Sequence, residues 1–162
     1  MNKEIGKSLA LGSTAGAAGT ALIRGMLMLT QRFAPETLPP MKEDPGHFMV
    51  KQVERVLPEK VRNSIPEQAE PVAATLLAFG YGITWGLLYA ALRPRGRNLL
   101  LEGATLGTAT WAAGYLGWLP ATRLTPPVWK QTPKQVVPNL LSHMLFGITT
   151  VALLKWAQGR LG

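Results

Sequence analysis

The chain has 162 residues, 47% of them apolar, with 17 basic residues, nine acidic residues and no cysteine. Without cysteine there are no disulfides, thiolate metal sites or cysteine nucleophiles. The formal charge of +8 is dispersed among connections with no basic and aromatic groove, which argues against nucleic acid as a partner and for anionic membrane lipids.

The apolar residues collect in four runs, Ser8–Leu29, Val72–Leu92, Leu99–Leu119 and Val136–Trp156, each 21 or 22 residues long. Crossing the hydrocarbon core as a helix takes roughly 20 residues. None of the runs shows the polar face of a soluble core helix. The expectation is an all-α polytopic membrane protein: one domain over 1–162 with spans at about 8–30, 72–92, 99–119 and 136–156. The start, with Lys3, Lys7 and Ala15-Gly16-Ala17, has features of a signal peptide. Its run is longer than a signal core, so a first membrane helix is expected.

The connection over 31–71 holds seven prolines and both signs of charge. Within it, Asp44-Pro45 has the form of a helix start. Met49, Val53, Val56, Leu57 and Val61 follow at helical spacing among Lys51, Arg55, Lys60 and Arg62. This pattern fits an interfacial amphipathic helix broken near Pro58, and equally a small cap packed on the loop side of the bundle. The second run ends in Arg93-Pro94-Arg95-Gly96-Arg97. The positive-inside rule places that turn in the cytoplasm, and four spans then place both termini there. The connections over 31–71 and 120–135 lie outside. Trp118, Trp129 and Trp156 fall at the expected interfaces, as in an aromatic belt.

Small residues recur at helical spacing. The first run has Gly12, Gly16 and Thr20; the second Ala74, Ala78, Gly82, Gly86 and Ala90; the third Gly103, Gly107, Thr110, Gly114 and Gly117; the fourth Gly147. Such faces let helix backbones approach closely in lipid. Together with the proline pairs Pro39-Pro40 and Pro126-Pro127, they are compatible with two similar hairpins, or with coincidence.

Three runs carry one internal ionisable residue each: Arg24, Glu102 and His143. At about 1.5 Å per residue, Arg24 and His143 lie about 10 Å from the outer ends of their helices, while Glu102 lies at the cytoplasmic start of the third. Glu102 suits a helix N-terminus beside the arginine turn. Arg24 suits headgroup contact by snorkelling, and His143 a hydrogen bond to a neighbouring helix. The sharper alternative is a shared polar spot of Arg24, His143, Asn139 and Ser142, open to the outer side and suited to an anion or a lipid phosphate. The histidine, phosphate-loop and serine signatures of common enzymes are absent. No cofactor or metal is expected, a single axial His143 being the only opening for haem.

Leu124-Thr125-Pro126-Pro127-Val128, followed by Asn139 to Gly147, resembles the YagU-like family of bacterial inner-membrane proteins. That family has an L-T-P-P-V segment after its third helix and a glycine-histidine pair near the start of its last. Here Ser142 stands in place of the glycine. Leu38-Pro39-Pro40 is a second match, while 46–64 has no clear counterpart. The resemblance implies a multi-pass inner-membrane protein without an assigned activity, and singles out Pro126, Pro127 and His143. The expected role is a non-enzymatic accessory or scaffold subunit of a larger membrane assembly, its partners other subunits or copies of itself. The alternative is a small oligomeric transporter or channel component with Arg24 and His143 lining a polar path.

Overall fold

The computed structural model describes residues 3–64, 66, 69–92 and 98–159, and among these every regular element is helical. The long helices are α1 (Lys3–Phe33), α4 (Ala69–Leu92), α5 (Leu99–Ala112) and α7 (Pro133–Ala157). The connection between α1 and α4 contains α2 (Pro45–Val56) and the single turn α3 (Glu59–Arg62). After α5 the chain continues helically through a π-helical segment, Ala113–Trp118, and the short α6, Leu119–Ala121.

Local chemistry explains the boundaries. Asp44 Oδ1 accepts from the N–H groups of Gly46 and His47 at 2.8 and 3.1 Å, and Pro45 takes the first helical position, where no donor is required. Pro58 separates α2 from α3. Asn98 caps α5 by accepting from Leu101 N–H at 3.0 Å. At the start of α7, Thr132 N–H donates to Gln135 Oε1 at 3.1 Å, and Pro133 opens the helix. After α6 the chain reverses through Arg123 at φ 62°. Leu124 N–H closes back onto Leu119 O at 3.0 Å, the hydrogen bond of a Schellman stop, here with arginine where glycine is usual.

Two antiparallel hairpins make up the body. In the first, α1 packs on α4: a Cβ on Gly12 would meet Gly86 O and Ala90 Cβ at 2.6 Å, and one on Gly16 or Gly82 would collide with the facing helix. In the second, α5 packs on α7, where Gly103 and Gly107 lie against the backbone of His143, Met144 and Ile148, and Gly147 against Gly103 and Gly107. The hairpins join along α1 and α7. Gly19 fits against Phe146 and Thr150, and Gln158 Nε2 donates to Ser8 Oγ at 3.1 Å. Between α4 and α5 the described hydrogen bonds come from tyrosines, Tyr81 O–H reaching Thr110 O at 3.1 Å and Tyr89 reaching Glu102.

Large apolar side chains face outward from this body as well as inward. Its interior along the seams is glycine, alanine and threonine, with Thr150 and Val151 fully buried and Lys155 only 5% exposed. Its exterior carries Met28, Leu29, Leu76, Leu92, Leu100 and Leu101, each 60% exposed or more. Hydroxyls along the helices are satisfied within their own helix: Thr20, Thr84, Thr105, Thr110, Ser142 and Thr150 each donate to the carbonyl four residues earlier. That is how a hydroxyl is satisfied where water is scarce.

Two helices, α4 and α7, are long and apolar enough to cross a membrane. The first and third apolar runs differ for physical reasons. Run one mixes Ser13, Thr14, Thr20 and Arg24 with four glycines. Run three leaves α-helical geometry at Ala113. The turn holding Arg93, Arg95 and Arg97, and Arg160, lie outside the described residues.

The end of the bundle opposite the start of α5 is closed by a second cluster. Trp111, Tyr115, Leu119 and Leu124 are buried together, with Met41 and Phe48 of the first connection packed against them. Lys42 N–H donates to Leu124 O at 3.0 Å, tying the two connections. The helix α2 packs on the bundle as a cap on one side only. Its Val50 is buried and its Gly46 lies against Ala74, yet Met49, Val53 and Val56 face outward.

Candidate functional site

Polar side chains gather at the two ends of the bundle. At the end shared by the start of α1, the start of α5 and the end of α7, Glu102 is held from two sides. Lys155 Nζ donates to Oε1 at 2.5 Å and the Tyr89 hydroxyl donates to Oε2. The two charged side chains are only 12% and 6% exposed. Three helices, α4, α5 and α7, therefore meet in one polar knot. Removing one partner of a buried pair strands the other charge, which typically costs about 3–5 kcal/mol.

Lys155 and Tyr89 have no part in the polar groups read from the sequence. In the sequence the lysine falls one residue before the end of the fourth run, where a charge is normally solvated, but α7 continues to Ala157 and carries Lys155 into its final turn. The available signal was one acid and one base near the same end of two helices whose glycines pair them. Glu102 sits in the first turn of α5, and the partners described for it are Lys155 and Tyr89; the arginines of the preceding turn lie outside the described residues.

The other cluster lies between α5, the π-helical segment and α7. Asn139 Nδ2 donates to the Tyr115 hydroxyl oxygen at 3.0 Å. His143 Nδ1 lies 2.9 Å from Asn139 O. A carbonyl only accepts, so Nδ1 carries the proton, and in the neutral ring Nε2 is left as an acceptor. Tyr115 meets the His143 ring edge-on at 5.7 Å and stacks on Trp111 at 6.0 Å. Trp111 Nε1 and Asn139 Oδ1 are buried and without a hydrogen-bond partner among the described residues.

Of the expected polar spot, the structure brings Asn139 and His143 together, one turn apart on α7. Ser142 turns its hydroxyl back to Pro138 O at 2.8 Å. Arg24 is half-buried on α1 and makes no hydrogen bond or ion pair with His143, Asn139 or Ser142 among the described contacts. Trp111 and Tyr115 are the members that sequence reading left out. Aromatic residues in an apolar run look like core, and only a fold that sets α5 against α7 gives them polar neighbours.

The small residues divide by location. Gly12, Gly16, Gly82 and Gly86 line the α1–α4 seam, and Gly103, Gly107 and Gly147 the α5–α7 seam. Ala78 is half-buried, Gly114 has no close neighbour nearer than Leu119 at 3.6 Å, and Gly117 is exposed. In the proline segment, Leu124 and Thr125 are buried, while Pro126 is exposed and Pro127 half-buried. Gln131 Nε2 braces this segment by donating to Pro126 O at 2.6 Å and Thr125 Oγ1 at 3.2 Å. No group of three or more potential metal ligands occurs among the described residues.

No family model, curated protein or solved structure matches this chain.

Proposed function

We propose that this is a four-span membrane protein without enzymatic activity, which serves as an accessory or scaffold subunit of a larger assembly in a bacterial inner membrane. The observation that carries the reading is the apolar exterior: leucine and methionine face outward, around glycine seams and a buried Glu102–Lys155 pair. In water such an exterior would drive aggregation, whereas in lipid it costs nothing and close backbone contact holds the helices. Leu99–Ala121 holds 23 residues, helical on either side of a kink at Gly117, and at about 1.5 Å per residue its helical parts cover roughly 30 Å, enough to cross. α1 matches α4 in antiparallel register along its packed length. The start of α1 and the end of α7 lie at the end of the Glu102–Lys155 knot, which this reading assigns to the cytoplasmic side. The outward strip of α2, Met49, Val53 and Val56 with Lys51 and Arg55 beside it, suits the lipid surface on the opposite side.

A scaffold is favoured over a transporter because the seams are closed by backbone against backbone, and Arg24 and His143 are not joined along a path. Purification in a mild detergent tests the role. A membrane protein retained at fixed stoichiometry is expected. Recovery of the chain alone as a monodisperse homo-oligomer, with solute flux in liposomes that His143→Ala removes, would overturn the scaffold reading in favour of transport.

A further inference from the structure

We infer that the α5–α7 interface beside the π-helical segment holds a single hydroxyl oxygen, from water or from a lipid alcohol, seated between Trp111 and Asn139. Trp111 is 8% exposed, and its indole N–H is a donor that can never accept. Asn139 Oδ1 is an acceptor. Both atoms are buried and without a described partner. Two orphaned polar atoms of opposite character in one interface require a satisfying group, since each alone is costly in an apolar interior.

The register brings them to one level. Gly103 faces Gly147 and Ile148, and Gly107 faces His143 and Met144. One further turn along the antiparallel pair sets Trp111 across from Asn139. Tyr115 ties the two, stacking on Trp111 at 6.0 Å and receiving Asn139 Nδ2 at 3.0 Å. One oxygen that accepts from the indole and donates to Oδ1 satisfies both atoms. If the Asn139 amide is turned over, its N–H and the indole both point at an acceptor, and an oxygen again fits.

The chain also makes room here. Along the seams, glycines touch the facing backbone, but a Cβ on the buried Gly114 would meet only Leu119 Cδ1 at 3.6 Å. At Gly117 (φ −102°, ψ −107°), six residues past Trp111, the backbone leaves helical geometry and the helix kinks. Kinks recur where water or a side chain enters the backbone ladder. The seat rests on the geometry of this interface and not on the number of spans, so its failure and that of the four-span reading are distinguishable.

The test is proton cross-relaxation at the tryptophan indoles of the full chain, labelled with 15N-tryptophan, in dodecylphosphocholine micelles and in phosphatidylglycerol nanodiscs. The Trp111 indole is assigned by its loss in Trp111→Phe. If that variant does not fold, assignment follows by elimination with Trp85, Trp118, Trp129 and Trp156→Phe. The expected result is a Trp111 indole cross-peak to water in both media, or in nanodiscs to the glycerol protons of the lipid, which identifies the source. Asn139→Leu should weaken that cross-peak at least twofold. A Trp111 indole coupled only to protein protons in both media would overturn the seat.

Discussion

The two polar ends of this bundle solve the same problem in different ways. At the Glu102 end, each carboxylate oxygen receives a donor from another helix, and α4, α5 and α7 are fixed by side chains alone. At the Trp111 end, Asn139 and His143 are tied to Tyr115 and to their own helix, while an indole N–H and an amide oxygen find no partner among the described side chains. The difference separates structure from recognition. A closed knot specifies helix register, as buried polar groups do in some helical assemblies, whereas two unpartnered buried atoms in the other network are what motivates the oxygen proposed there.

The largest expected effect comes from breaking the closed end. Lys155→Met should lower stability by about 3–5 kcal/mol, measured by unfolding in mixed micelles, because Glu102 is left with Tyr89 alone among its described partners. Adding Glu102→Gln to Lys155→Met should recover part of that loss. Equal loss in single and double variants would show that the pair is not a unit. Between the ends, Gly147→Ala should cost about 1–3 kcal/mol by overpacking, since its Cβ would collide with Gly103 and Gly107. Gly80→Ala, with nothing within 4 Å, is the matched control and should change stability little.

At the Trp111 end the expected effects are smaller. Arg123→Gly should stabilise the chain by ~1 kcal/mol, because Arg123 occupies a left-handed conformation that disfavours a side chain. In the first connection, the hydrogen bond from Lys51 Nζ to Glu43 Oε2, 2.8 Å long, raises the lysine's pKa above 10.5. A raised lysine pKa gives stabilisation that is fully present below 10.5 and fades as pH rises through the raised value. Thermal unfolding of wild type and Lys51→Met should therefore differ by the same small amount from pH 7 to pH 9. A difference that disappears within that range would contradict the assignment.

Much of the fold is legible because apolar length and small-residue spacing are local properties. The runs at 72–92 and 136–156 become α4 and α7, and Asp44-Pro45 and Asn98 mark helix starts by their own chemistry. The π-helical segment leaves no such signature, since Ala113–Trp118 differs little in composition from the α-helix before it. The polar clusters are legible only in part. His143 and Asn139 stand out as polar residues in an apolar run, but Trp111, Tyr115 and Tyr89 acquire their polar roles from neighbours on other helices. Lys155 is hidden by its place near the chain's end, where a charge is normally solvated.

The central claim is that all four long helical stretches cross the membrane, with both long connections on one side. The absence of cysteine makes the direct measurement clean. Single cysteines replace Ser64, Gln131, Glu4 and Gly159, and sealed cells are treated with a membrane-impermeant maleimide. Four crossings predict that Ser64→Cys and Gln131→Cys label in intact cells, and that Glu4→Cys and Gly159→Cys label only after permeabilisation. Labelling of positions 64 and 131 from opposite sides would mean that only one of α4 and α5 crosses, which contradicts a four-span topology.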